Sequence, residues 1–293
     1  MTDQTHFTRC CPQCQSSRVT SLKQPTELGY RRFQCRACRC TYNERTGTPF
    51  NFLEFPTDLV CLVVLWRVRY TLSLRDVVEL CLLRGVTLTH ETVRDWEQRF
   101  APYLTSAMKQ RRRGKCSSRW HVDETYVKVR GQWVYLYRAI DREGNLVDTM
   151  LSATRSKKAA IRFFRQAQQT TGVQPTCVTT DKLASYRKAI RKTCGRKVVH
   201  RTSKYLNNRI EQDHRGIKRR YGPTLGFKDF ACAARFCAVV DETRQLFRPR
   251  TTMKETLSLA QGRQHFQQSV ADFQQLFLSC PVADAKRKER VAA

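Results

Sequence analysis

A carboxylate lies in the middle of a stretch that otherwise has the composition of a β-strand. Residues 121–129 are rich in β-branched side chains, and a turn at Arg130-Gly131 separates them from a second such stretch, residues 133–137. An ionised Asp123 inside a strand is costly unless it pairs with an arginine or binds a metal cation. An arginine partner is the simpler interpretation for a single aspartate, and the acids later in the chain favour the metal.

The high positive charge of the chain indicates which kind of molecule it binds. The 293 residues include 54 basic and 25 acidic side chains, for a formal net charge of +29, and the basic residues are spread along the whole chain. Because self-repulsion makes this excess a cost in folding, an anionic polymer such as nucleic acid is the expected partner. A membrane surface is a weaker alternative, since the longest apolar run, Leu59–Trp66, is too short to span a bilayer.

The N-terminal segment predicts a metal-binding module, residues 1–50. Two C-x-x-C pairs, separated by twenty residues, suit a tetrahedral zinc site with a strand at residues 31–34 between them; their cysteines are Cys11, Cys14, Cys35 and Cys38. Cys10 and Cys40 leave a small ambiguity in the ligand choice, and free buried cysteines are the alternative. No apolar signal region is present, so we expect a reducing, cytoplasmic location in which the 14 cysteines are not a disulfide framework. The basic charge of the module favours DNA over a protein as its partner.

Residues 55–105 have the pattern of a helix-turn-helix. We predict a helix from Pro56 to about Tyr70, a second over residues 73–82, a break at Gly85, and a third over residues 91–100. The last would enter the major groove and expose His90, Arg94 and Thr92; a helical hairpin that only packs is the alternative. Residues 106–118 are predicted to be a basic linker.

Residues 119–250 predict an α/β core with strands of mixed direction. Strands are expected at 119–129, 132–140, 145–152, 176–180 and 197–200, and helices at 156–171, 183–192 and 205–221. Asp123 lies in the first strand and Asp181 at the carboxyl end of the fourth, where α/β sheets place ligands. Glu211, on the last helix, can add a third carboxylate. Such oxygen ligands select Mg²⁺ or Mn²⁺, and Glu124 and Asp213 are fallback ligands.

The last helix also carries cations beside its glutamate. His214, Arg215 and Lys218 follow Glu211 at three, four and seven residues and are predicted to share its face, where they would hold DNA phosphates. An ordinary exposed helix with one ion pair is the alternative.

These residues together resemble the bacterial DDE transposases of insertion-sequence family six. The likeness covers roughly residues 56–247 and rests on residues 121–141, 156–160, 180–182, 205–214 and 224–227. It implies a ribonuclease H-like fold in which Asp123, Asp181 and Glu211 are the catalytic acids and Lys218 the basic residue two turns later. The interval between Asp181 and Glu211 is shorter than in the family, and the zinc ribbon is an addition.

The resemblance implies a Mg²⁺-dependent DNA transposase. Such a protein would bind the terminal inverted repeats, cleave one strand at each end to expose a 3′-OH, and join that hydroxyl to target DNA. The family implies a homodimer, a replicative outcome and a place with the nucleoid of a bacterial or archaeal cell. A DNA-binding regulator and a nuclease without strand transfer are the alternatives. Residues 251–293 lie outside the likeness; we predict a polar helix over 266–277 and a basic tail over 285–290, as a dimer contact or a DNA arm.

Overall fold

The computed structural model describes residues 10–181, 184–202, 208–222, 226–249 and 257–279. The chain forms two compact units, one built mainly from Met1–Leu62 and the other from Val63–Leu278. Within the described residues there are eight strands and eight helices.

The first unit holds a three-stranded antiparallel sheet. Its strands, in spatial order, are β1 (Val19–Ser21), β2 (Arg32–Cys35) and β3 (Thr41–Asn43). The buried cluster around this sheet consists of Cys11, Cys35 and Tyr42, with the Phe33 ring 5.5 Å from that of Tyr42. A core this small cannot offset the conformational entropy lost on ordering the unit, so a further source of stability is required.

Three helices precede the large sheet: α1 (Thr57–Arg69), α2 (Leu74–Leu82) and α3 (His90–Arg112). Ser73 begins α2 with a capping box, because its hydroxyl accepts a hydrogen bond from the Asp76 amide while the Asp76 carboxylate accepts one from the Ser73 amide. Gly85 turns the chain with φ +72°, and Thr89 caps α3. The predicted pair of helices with its glycine turn is therefore present.

The predicted linker, residues 106–118, is largely wrong in its first half. Residues 106–112 are the last turns of α3, since Leu104, Met108 and Arg112 recur every four residues and are all buried. A basic run is usually solvated, but here Arg112 donates two hydrogen bonds to Glu242, at 2.6 and 2.7 Å, and two more to backbone carbonyls of residues 146 and 147.

The second unit is organised around a five-stranded sheet in the order β6-β5-β4-β7-β8. Its strands are β4 (Arg119–Val129), β5 (Gln132–Asp141), β6 (Leu146–Ser152), β7 (Cys177–Thr180) and β8 (Val199–Thr202). Strands β4, β5 and β6 are antiparallel, whereas β7 and β8 run parallel to β4. The predicted strands are confirmed to within about two residues, and this order and mixture of directions is the ribonuclease H-like arrangement.

Helices cover both faces of this sheet. On one face α4 (Lys157–Thr171) and α5 (Ala184–Thr193) close a core that contains Trp120, Phe163 and Tyr186. On the other face α6 (Asn208–Tyr221) packs against β4 and α7 (Phe230–Leu246) packs against β6. The predicted residues 205–207 of α6 lie outside the described residues.

Two helices at the C-terminal end differ from expectation. Helix α7 is not predicted, because small and apolar residues surround it and leave no clear helical face. Helix α8 (Leu259–Leu278) is longer than predicted and buries Phe273 and Phe277. The ring of Phe277 lies 4.8 Å from that of Phe100 on α3. Helix α8 thus packs within its own chain; the predicted tail, 285–290, lies outside the described residues.

The Arg112–Glu242 pair predicts a large effect on stability. Replacing Glu242 with Gln leaves a buried guanidinium without its counter-charge, so the free energy of unfolding should fall by about 3–5 kcal/mol in urea denaturation. The neighbouring Arg111 pairs with Asp272 at a more exposed position. The matched change Asp272→Asn should cost less than about 1 kcal/mol. Equal losses in the two variants would contradict this account of α3.

Candidate active site and metal centre

Asp123 lies midway along β4, on the face of the sheet that α6 covers. Its side chain is 15% exposed. In the antiparallel pairing of β4 with β5 it stands directly opposite Arg138, so the two side chains lie on the same face. The β4 side chains on either side of it, Val122 and Glu124, are buried on the opposite face.

Asp181 follows the end of β7, the parallel neighbour of β4. The last paired residues of these strands are His121 and Thr179, and two residues further along each strand come Asp123 and Asp181. The two carboxylates therefore lie level on adjacent strands. Asp181 is more exposed, at 36% of its side chain, and accepts a hydrogen bond of 3.3 Å from Arg155.

Glu211 lies in the first turn of α6 and is exposed. Burial is the main cause that raises the pKa of Asp123 to about 7; the charge of Glu124 adds to it, and the charges of Asp181 and Glu211 follow. The charges of both Asp181 and Glu211 therefore act on Asp123. Asp123 and Asp181 thus lie level on neighbouring strands, and Glu211 lies on the helix that packs against β4.

His214 does not lie on the exposed face predicted for it. Its ring is buried, with Nδ1 3.8 Å from Oδ2 of Asp123. Burial, followed by the positive charge of Arg138, lowers the pKa of His214 to about 3, so the ring is neutral at physiological pH. A buried neutral imidazole cannot hold a phosphate in solvent, and this part of the predicted DNA face is corrected. Arg215 and Lys218 are exposed.

The two fallback ligands are engaged elsewhere. Glu124 points away from Asp123, as predicted, and accepts hydrogen bonds from Tyr186 and Arg155. Asp213 accepts hydrogen bonds from Arg138 at 2.6 Å and Arg244 at 2.8 Å. Both carboxylates are therefore already neutralised by arginine.

Two arginines at this site were not predicted from the sequence. Arg155 contacts both Glu124 and Asp181, and its position in a loop after β6 gives no indication of this role. Arg138 could have been noticed, because a charged residue inside an apolar strand requires partners. Its partners are Asp213 and Asp241, the second of which lies on the unpredicted helix α7.

The predicted groove-reading residues lie at the start of α3. Arg94 is exposed, with its side chain at 49%, and His90 is partly exposed, at 43%. Both approach Glu91, His90 at 2.6 Å and Arg94 at 4.0 Å. Thr92 donates its amide to the cap residue Thr89. The first turn of α3 therefore presents polar side chains to solvent.

Four cysteines cluster in the first unit, and they are the four with C-x-x-C spacing. Sγ of Cys11 lies 3.6 Å from that of Cys38, and Sγ of Cys14 lies 3.5 Å from that of Cys35. Zinc–sulfur bonds of about 2.3 Å in a tetrahedron place sulfur atoms about 3.8 Å apart, so the cluster fits zinc. The backbone amide of Cys38 is the largest influence on Cys35 and lowers its pKa to about 6, which favours a thiolate ligand.

The other two candidate cysteines lie outside this cluster. Cys10 is exposed, and the Cys40 thiol donates to the carbonyl of residue 41 at 3.7 Å. In the described ranges no other group of histidine, cysteine and acidic side chains meets the geometry of a metal site. The acids around Asp123 are spaced more widely than those sulfur atoms.

Several known proteins are similar to this chain. A family model described as a DDE domain, DDE_Tnp_IS240, matches residues 117–250. The transposase for insertion sequence-like element IS431mec of Staphylococcus aureus is 41% identical over 173 residues, which cover 58% of this chain and 76% of the relative. The same values hold for the transposase for insertion sequence element IS257 in transposon Tn4003, also from Staphylococcus aureus. A solved structure of the HTLV-2 integrase catalytic core domain in complex with magnesium has a TM-score of 0.33 at 17% identity, covering 51% of this chain and 95% of that one.

Among the described helices, none combines the length and apolar character of a membrane span.

The cysteine cluster predicts which substitutions release zinc. Cys38→Ser should lower bound zinc well below one ion per chain, since three thiolates hold the ion less tightly and the unit has little other core. Mass spectrometry under native conditions measures the stoichiometry. Cys10→Ser is the matched control and should retain the metal. Full zinc content in Cys38→Ser would show that the ligands are misassigned.

The raised pKa of Asp123 predicts how stability changes with pH in the presence of a chelator. Between the ordinary pKa of 3.8 and about 7, the folded chain holds a proton that the unfolded chain releases, so the free energy of unfolding decreases as pH rises through this window. Asp123→Asn removes this loss. The stability of the variant relative to wild type should therefore increase by on the order of 2–3 kcal/mol from pH 5 to pH 8. Urea denaturation at both pH values measures it, and a constant difference would refute the shift.

Proposed function

This chain belongs to insertion-sequence family six of the DDE transposases, and from that membership we propose that it binds the terminal inverted repeats of its element, cleaves one strand at each end and joins the exposed 3′ ends to target DNA. Membership of the family supports the general activity of a DNA transposase, which is the transfer of polynucleotide strands. The finer steps are proposed from the site. They are supported most directly by the level positions of Asp123 and Asp181 on adjacent strands, with Glu211 on the basic helix that packs against β4.

The donor chemistry of the site suits a divalent cation. Three carboxylates in a chain of net charge +29 offer hard oxygen ligands, and burial of Asp123 without a strong cationic partner raises its pKa. We propose that Asp123, Asp181 and Glu211 hold Mg²⁺ or Mn²⁺. When bound, such an ion supplies Lewis-acid activation of an attacking oxygen and charge stabilisation of a leaving oxygen.

The surrounding residues position the DNA. Arg215 and Lys218 follow Glu211 on α6 by four and seven residues and are exposed, so they can contact backbone phosphates next to the scissile one. In the first step water attacks that phosphorus and its bond to the 3′ oxygen breaks, which leaves a 3′-OH. In the second step this hydroxyl attacks a target phosphodiester, so one phosphorus–oxygen bond forms as another breaks and no external energy source is required.

Recognition of the element ends is assigned to the N-terminal modules. We propose that the first turn of α3, with His90 and Arg94, enters the major groove, and that the zinc-bound ribbon adds contacts to the backbone. The proposed modules are a ribbon over residues 1–50, a helix-turn-helix over 55–105 and a catalytic core over 119–250. Two ends must be cut and joined together, which favours a homodimer. We also propose that the protein associates with the nucleoid in the cytoplasm, because its substrate is DNA.

The proposed function predicts that Glu211→Gln abolishes strand transfer. With end-labelled element DNA, supercoiled target and Mg²⁺, the rate should fall at least about a hundredfold, because several kcal/mol of transition-state stabilisation depend on the metal. Glu79→Gln, the same change at an exposed position on α2, should retain activity. Element ends of shuffled sequence should not be joined.

Other outcomes of this assay favour other functions. Cleavage without joining by the wild type would favour a nuclease. Binding of the ends without any chemistry would favour a regulator. Equal joining by wild type and Glu211→Gln would remove Glu211 from the site.

A further inference from the structure

A cavity rich in arginine includes in its wall Arg138, the residue opposite Asp123 in the β4–β5 pair. It has a volume of about 880 Å³ and is bordered by α6, α7, the turn between β5 and β6, and the end of α1. Eight arginines and three acids line it. The arginines include Arg69, Arg138, Arg215, Arg219, Arg220 and Arg244. We call this the arginine cavity.

The acids of the cavity do not balance its arginines. Asp213 and Asp241 are already paired with Arg138 and Arg244, and Glu143 is exposed in the turn between strands. Within the described part of the chain, neither Arg219 nor Arg220 forms an ion pair. Burial lowers the pKa of Arg220 to about 10, and the positive charges of Arg69 and Arg244 contribute, as expected where like charges face each other uncompensated.

A buried donor in the cavity also lacks an acceptor. Arg138 is 1% exposed, and its Nε and Nη2 donate to Asp241 and Asp213 at 2.6–2.9 Å. Its Nη1 has no hydrogen-bond partner among the described residues, and the same holds for the buried Nε of Arg69. An unsatisfied guanidinium N–H is costly, so Arg69 and Arg138 hold donor groups that the carboxylates around the cavity do not satisfy.

We propose that the arginine cavity binds phosphate groups, and that these belong to the DNA strand that continues from the acid site. Arg138, which lines the cavity, stands opposite Asp123 across the β4–β5 pair and on the same face of the sheet, so one wall of the cavity neighbours Asp123. Its volume is large enough for a nucleotide unit. The source of the phosphate rests on the proposed function, whereas the anion chemistry does not.

The first test measures a free anion. Arg138 is a poor target because its loss would break two buried ion pairs, so the variant is Arg219→Gln combined with Arg220→Gln. Pyrophosphate is titrated calorimetrically into the full chain without Mg²⁺. Wild type should bind, and the double variant should bind about tenfold more weakly or worse, because charge-assisted hydrogen bonds are lost. Arg165→Gln, at an exposed position on α4, is the matched control and should bind like wild type. Equal binding by the double variant would overturn the anion site.

The second test identifies the source. The affinity for duplex DNA is measured by fluorescence anisotropy over a range of salt concentrations. Loss of two phosphate contacts should reduce the slope of log affinity against log salt by about two in the double variant and leave it unchanged in Arg165→Gln. An unchanged slope in the double variant, with weakened pyrophosphate binding, would overturn DNA as the source and favour a free phosphate compound. The wild type could also bind pyrophosphate more tightly than the double variant and yet join no DNA in the strand-transfer assay. That result would refute the proposed function but would still support the anion site.

Discussion

The buried guanidinium of Arg138 holds together the parts that form the acid site. A charge inside a sheet is tolerated only where carboxylates compensate it, and Arg138 has two, Asp213 of α6 and Asp241 of α7. These bonds fix both helices against β5. Because Glu211 lies on α6 two residues before Asp213, its position relative to Asp123 depends on the same interaction. Removing Arg138 would therefore disturb the packing and the site together.

The same arrangement explains why Asp123 differs from the other acids on its face. It stands opposite Arg138, but the described hydrogen bonds of that arginine go to Asp213 and Asp241. Asp123 Oδ2 lies 3.8 Å from Nδ1 of His214, whose lowered pKa keeps the ring neutral and leaves the carboxylate without a counter-charge from it. Asp123 is thus buried beside other acids with its natural cation already engaged. The proposed metal site rests on this deficit of positive charge at one point in a basic protein.

The sequence was sufficient for the parts of the fold that rest on local patterns. Strands β4–β8, the capped helices α2 and α4, and the four clustered cysteines follow from alternation, caps and spacing, and the parallel register of β4 with β7 places Asp123 beside Asp181. The features that could not be predicted from the sequence depend on contacts between residues that are far apart in the chain. The pairing of Arg112 with Glu242 across 130 residues turns an expected linker into a buried helix end, and burial of His214 removes an expected DNA contact. Helix α7 lacks a polar face because it is covered, and its coverage is not visible in its own sequence.

The distribution of the acids explains how a chain of such high net charge folds. Among the described residues six acids are buried, against four arginines; the acids are Glu97, Glu124, Asp141, Asp148, Asp241 and Glu242. Several of them neutralise an arginine or lysine inside the protein, such as Glu97 with Arg67 and Asp148 with Lys109. Negative charge is therefore used in the interior, where it lowers the cost of burying cations. The surface becomes more basic than the composition alone indicates, and repulsion among its exposed arginines and lysines is relieved when an anionic polymer binds. The placement of acids in the interior and of basic residues on the surface thus favours both the stability of the fold and the affinity for DNA.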